Sequence, residues 1–161
     1  IDSTNGLLTE QGTNTDGSNK PYVSIDDIYD GSKDVSFEVY CKIDIGSGVD
    51  NDLKIINFVD DETTTTMQNY PIGLLSTTST RQLRFYAYDG GTSGSHLKTG
   101  ISSTKTVHNT GNYHHIIITI GDNTIIYVDG ENVGQEVTGS ITSKTRKLWL
   151  TRSEWNVNDE L

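Results

Sequence analysis

YHHIIITIGDNTIIYVDGENVG, residues 113–134, decides the fold. Ile116, Ile118 and Ile120 alternate with His115, Ile117 and Thr119, the period of two of a half-buried β-strand. The parity places His114 on the inner side at the strand start. Gly121-Asp122-Asn123 and Asp129-Gly130-Glu131-Asn132 interrupt the apolar runs with residues that accept positive φ, so both read as hairpin turns. Residues 113 to about 135 are therefore expected to form a β-meander.

Working outward, DVSFEVYCKIDI at 34–45 puts Val35, Phe37, Val39, Cys41, Ile43 and Ile45 on one face, and Ser36, Glu38, Tyr40, Lys42 and Asp44 on the other. Shorter runs at 53–59, 82–88, 124–128 and 146–151 are bounded by Gly, Asn, Asp, Ser or Thr. No stretch carries an apolar period of 3.6, so helix is expected in less than about a tenth of the chain. Polar segments at 9–20 and 89–106 read as surface loops or weak edge strands. The expected architecture is all-β, an antiparallel two-sheet jelly-roll sandwich. Inner parity predicts Phe37, Val39, Cys41, Phe85, Ile116, Ile118, Val128 and Leu148 as buried.

A length of 161 residues suits a single domain over 1–161. The chain starts at Ile1 without Met, as expected of a domain processed or excised from something longer. A net charge of -10, with no basic cluster, disfavours nucleic acid, which is gripped through phosphate neutralisation, and disfavours anionic membranes. No run approaches the roughly 18 apolar residues of a membrane span. The lone Cys41 reads as a small core hydrophobe rather than a catalytic thiol.

The strand Val35-Ser36-Phe37-Glu38-Val39-Tyr40-Cys41-Lys42, the hairpin Tyr113-His114-His115 to Tyr127-Val128-Asp129-Gly130, and Leu148-Trp149-Leu150-Thr151-Arg152-Ser153 lie in an order that resembles laminin G-like domains of the concanavalin A-like lectin/glucanase superfamily. Tyr113 stands where Trp is commoner in that family. The resemblance further implies a closing acidic-hydrophobic strand after the Arg-Ser turn, which Asn156 to Leu161 does not match. A continuation of the chain or a neighbouring chain is expected to cover the resulting edge.

Some relatives of this fold hydrolyse glycans with paired carboxylates on one strand. The acidic groups Asp26-Asp27, Asp60-Asp61-Glu62 and Asp129-Gly130-Glu131 lack that spacing, so no enzyme activity is expected. Adjacent His114 and His115 point to opposite faces and cannot readily share one metal; they read as a packing and hydrogen-bonding motif. His96 and His108 have no partner spacing. Ca²⁺ takes loop carboxylates and carbonyls, and Asp50, Asn51 and Asp52 with Asp60, Asp61 and Glu62 are the densest candidates, against solvated turns. For sugar stacking, Tyr86 and Tyr88, with Arg84 on the same side and opposite Leu83, Phe85 and Ala87, are the candidate ligand-binding residues.

The expected function is a non-catalytic carbohydrate-recognition or adhesion module of an extracellular, cell-surface or virion-appendage protein. Its partner would be a glycan or a protein surface, with no nucleic acid and no membrane insertion. The rival reading is a structural domain of a fibre, capsid or filament with no soluble ligand. No Asn-x-Ser/Thr sequon occurs, which favours a bacterial or viral source.

Overall fold

The computed structural model describes residues 23–30, 34–43, 53–60, 72–76, 81–88, 97–141, 143 and 146–150. They form ten strands: β1 (Val23–Tyr29), β2 (Val35–Cys41), β3 (Leu53–Asp60), β4 (Ile72–Ser76), β5 (Gln82–Tyr88), β6 (Leu97–Thr106), β7 (His114–Ile120), β8 (Asn123–Val128), β9 (Glu131–Val137) and β10 (Arg146–Leu150). Two antiparallel sheets pack face to face, one of order β1-β10-β3-β4-β5-β6 and one of order β2-β7-β8-β9. No helix occurs among the described residues.

The meander is present as β7-β8-β9. Asp129 and Gly130 both take positive φ, 54° and 82°, in the two-residue connection between β8 and β9. Such a turn matches the right-handed twist of the flanking strands. Ile116, Ile118, Ile120, Ile126, Val128 and Val133 are buried against Phe58, Ile72, Leu74, Leu83, Phe85 and Ile101 of the opposite sheet. The segment 89–106 contributes β6, a sheet-edge strand, because Leu97 to Thr106 finds a partner in β5 despite its polar composition.

The predicted core parity holds, but its depth varies. Phe85, Ile116, Ile118 and Val128 are buried, whereas Phe37, Val39, Cys41 and Leu148 are half-buried and pack against the core. The β2 residues lie on a strand that, among the described strands, is flanked by β7 alone. Burial still pushes the Cys41 thiol up to about 11, which keeps it protonated at neutral pH, as suits a packing residue.

Three rings fasten the two sheets together. Tyr29, Phe37 and Phe58, from β1, β2 and β3, meet with centroids 4.5–5.1 Å apart, two of the contacts edge-to-face. Burial raises the Tyr29 hydroxyl to about 12, opposed by the nearby Arg146 guanidinium.

Candidate functional site

Tyr86 does not stand where strand alternation places it. It lies on the outward row of the six-stranded sheet, opposite Gly73, which is in turn opposite Asn57. Yet Tyr86 is 1% exposed and Asn57 is fully buried. The Tyr86 hydroxyl donates to Asn57 Oδ1 at 3.2 Å. Gly73 makes this possible: a Cβ there would sit 2.5 Å from the Tyr86 hydroxyl oxygen, so only glycine leaves room for the ring. Tyr86 is therefore a packed and hydrogen-bonded residue, and the expectation of an exposed stacking face is corrected. Arg84 is half-buried, and the Tyr88 side chain lies outside the described residues.

Among the described residues, the exposed aromatic rings are on the other sheet. Tyr40 of β2 is 69% exposed and Tyr113, just before β7, is 47% exposed. Their rings stack with centroids 5.3 Å apart and planes 15° from parallel. Tyr40 lies directly opposite His115 in the β2–β7 ladder. Tyr113 shares the outward side with His115, two residues on, which places the two phenols diagonally across the strand pair. His115 Nε2 lies 2.7 Å from Glu38 Oε1, and this carboxylate is the next outward residue on β2. Two open phenol rings thus adjoin an imidazole–carboxylate pair, a combination of stacking surface and hydrogen-bonding groups.

Beneath this surface the hairpin end is tied by one carboxylate. Asp129 Oδ2 lies 2.9 Å from His114 Nδ1, and Asp129 Oδ1 accepts the His115 backbone N–H at 3.0 Å. Lys105 Nζ adds a contact at 3.3 Å. On the far side of the ring, His114 Nε2 lies 2.9 Å from Thr110 Oγ1, which also accepts the Asn112 N–H. A proton on Nδ1 satisfies every member: the ring donates to Asp129 and accepts from Thr110. The expected opposite facing of the two histidines is observed, His114 inward and 7% exposed, His115 outward.

Hydrogen bonding from His114 and then from the His115 amide holds the Asp129 carboxyl down at about 2. The folded state favours the ionised form, so this contribution is complete above the ordinary value of 3.8 and disappears as pH falls toward about 2. Asp129→Asn is expected to lower stability at pH 7 by about 1 kcal/mol, since solvent screens the half-exposed group. The stabilities of the two proteins should draw together as pH falls from about 4 and meet only toward about pH 2, and a stability gap independent of pH would refute the assignment.

His108 is buried beside Ile43, to which it is bridged, and desolvation followed by the Arg81 charge lowers its pKa. Among the described residues no group of three His, Cys, Asp or Glu side chains could hold a metal ion. Asp50, Asn51, Asp52, Asp61 and Glu62 lie outside the described residues, as does the side chain of Asp60 at the end of β3. His96 and the segment after Leu150, where the resemblance implies a closing strand, also fall outside them. Neither Tyr40 nor Tyr113 was singled out from sequence. The available signal was the outward parity of Tyr40, but its meeting with Tyr113 depends on the β2–β7 register.

A family model described as the concanavalin A-like lectin/glucanases superfamily, of laminin G type, matches residues 16–160. None of the curated proteins matches the sequence. Among solved structures, the chain is similar to domains LG4-5 of the mouse laminin alpha1 chain, with TM-score 0.60, 16% identity and 90% of this chain covered. It spans about a third of that fragment, 36%. It is also similar to the carbohydrate binding module CBM66 from Bacillus subtilis, with TM-score 0.52, 15% identity, and coverage of 80% of this chain and 73% of that one. A doubly substituted human galectin-16 gives TM-score 0.52, 10% identity, and coverage of 79% and 84%. At these identities the likeness is one of fold.

Proposed function

Because the chain belongs to the concanavalin A-like lectin/glucanases superfamily, we propose that it is a non-catalytic carbohydrate-recognition or adhesion module, with the outer surface of β2 and β7 as its contact face. The observation that carries this reading is the solvent-facing Tyr40–Tyr113 stack beside the His115–Glu38 pair. A sugar presents an apolar C–H face and a rim of hydroxyls; the first suits a phenol ring and the second suits imidazole and carboxylate. Two of the similar folds, the carbohydrate binding module and the galectin, carry names associated with that activity, which supports the reading without assigning a ligand. The acidic balance of the chain, -10, favours neutral sugars over anionic ones.

Placement outside the cytoplasm, on a cell surface or a virion, belongs to the same proposal. No helix among the described residues is long and apolar enough to cross a membrane. Ca²⁺ held by Asp50, Asn51 and Asp52 or by Asp60, Asp61 and Glu62 is part of it as well, resting on their oxygen-rich side chains.

A glycan array probed with and without Ca²⁺, followed by titration of each hit, tests the reading. Tyr40→Ala is expected to weaken binding about tenfold, or about 1.4 kcal/mol, with little change in stability because the ring is exposed. Hits that bind Tyr40→Ala and Tyr113→Ala as tightly as the unaltered domain would move the site elsewhere. An array without hits in either condition favours the structural-subunit alternative.

A further inference from the structure

Tyr40 and Tyr113 are exposed, and their rings also meet. The centroids lie 5.3 Å apart with planes 15° from parallel, an offset stack. Solvent reaches both phenols, since Tyr40 is 69% and Tyr113 47% exposed. The ladder holds them there: β2 and β7 pair in unbroken register from Val35↔Ile120 to Cys41↔His114, and Tyr113 immediately precedes β7. Contact between the rings is thus built into the strand pairing.

The other described tyrosine side chains are arranged differently. Tyr29 is buried against Phe37 and Phe58, and Tyr86 is buried on Asn57. Tyr127 is half-buried and lies opposite Ile117. Among the described residues, Tyr40 and Tyr113 are the two tyrosines whose rings touch. The sequence holds one cysteine, so no disulfide can form within it, and any covalent tie between its strands must use other side chains.

We infer that Tyr40 and Tyr113 form an oxidative coupling site, whose product is a dityrosine bond that fastens β2 to the start of β7. Each phenol gives up one electron and its hydroxyl proton. A carbon–carbon bond then forms between the two positions ortho to oxygen, and the protons those carbons carried pass to the phenol oxygens as the rings regain aromaticity. Hydrogen peroxide, acting through a haem peroxidase, takes up the two electrons and two protons and becomes two waters. The chain loses two hydrogens and nothing else. Holding the reacting groups in contact makes their joining unimolecular, whereas phenols on separate molecules must first meet. The coupling needs no bound sugar. A bond from position 40 to position 113 closes a long loop in the unfolded chain, so the coupled domain resists unfolding more than the open one.

Treatment of the dilute, unaltered chain with peroxide and a haem peroxidase tests this. The expected product is a monomer that carries dityrosine fluorescence, has lost two hydrogens, and yields on digestion a joined pair of peptides containing Tyr40 and Tyr113. Tyr40→Phe and Tyr113→Phe should each lower the fluorescence of the monomer by about tenfold or more, because the remaining phenol has no partner in contact. Tyr127→Phe should leave it unchanged. The coupled chain should unfold at higher urea than equally treated Tyr113→Phe, which controls for oxidation elsewhere. Coupling that occurs between molecules alone, or that joins other tyrosines, overturns the proposal. So does a chain that stays uncoupled where free tyrosine couples, or a coupled chain whose urea midpoint does not rise. Should either Phe variant fail to fold, the joined peptides of the unaltered chain decide.

Discussion

Phe58→Ala is expected to lower the stability of the domain by about 4 kcal/mol, a large part of the roughly 5–15 kcal/mol that holds a domain of this size. Phe58 is 1% exposed and touches Tyr29 and Phe37 with ring centroids 5.1 and 4.5 Å away. Truncation removes buried apolar area and leaves a cavity that two stiff rings on different strands cannot collapse into. It also loosens the junction of the two sheets, since Phe37 belongs to the four-stranded sheet and the other two rings to the six-stranded one. In urea the midpoint should fall with the slope unchanged, and the melting temperature should drop by roughly 10 °C. A loss below about 1 kcal/mol would mean that the three rings are not the fastening they form in the structure.

Gly73→Ala carries the second large effect, about 3 kcal/mol, although it adds one methyl group. That methyl would lie 2.5 Å from the Tyr86 hydroxyl oxygen, 2.7 Å from Cζ and 3.0 Å from the Ile56 carbonyl oxygen. A flexible side chain would step aside at little cost. Tyr86 is rigid, buried, and bound to Asn57 through its hydroxyl, so moving it sacrifices a buried hydrogen bond. Shortening the tyrosine in the same protein provides the check. In Gly73→Ala/Tyr86→Leu the loss should be well below the sum of the two single losses, because the second change removes the atoms that clash. Additive losses would show that the two positions do not press on each other.

Asp129 lies on a turn whose shape was legible in advance, since Asp-Gly between apolar strands marks a hairpin. Its second role was hidden. That its carboxylate reaches the His114 ring and the His115 amide follows from the pairing of β7 with β8, which brings residues fifteen and fourteen positions apart within hydrogen-bonding distance. The candidate site shows the same division. Tyr40 and Glu38 read as outward residues from their parity, but parity cannot say which outward residues of another strand stand beside them.

By itself the sequence determined the strand-rich class, the meander from Tyr113 to about 135, the inner parity of β2, β5, β7 and β8, and the resemblance to laminin G-like domains. These rest on local properties, the period-two burial of side chains and the φ preferences of turn residues, which act between near neighbours and are written in the order of the chain. The tertiary structure alone decided how deep each inner residue lies, because depth depends on what the opposite sheet lays over it: Ile101 of the terminal β6 is buried, whereas Leu148 of β10, flanked on both sides, is half-buried. It also decided that Tyr86 is buried on the outward face, through a glycine on one strand and an asparagine on the next. Likewise it joined Tyr40 to Tyr113 across a ladder of residues more than seventy positions apart in the chain, where sequence distance carries no information about distance in space.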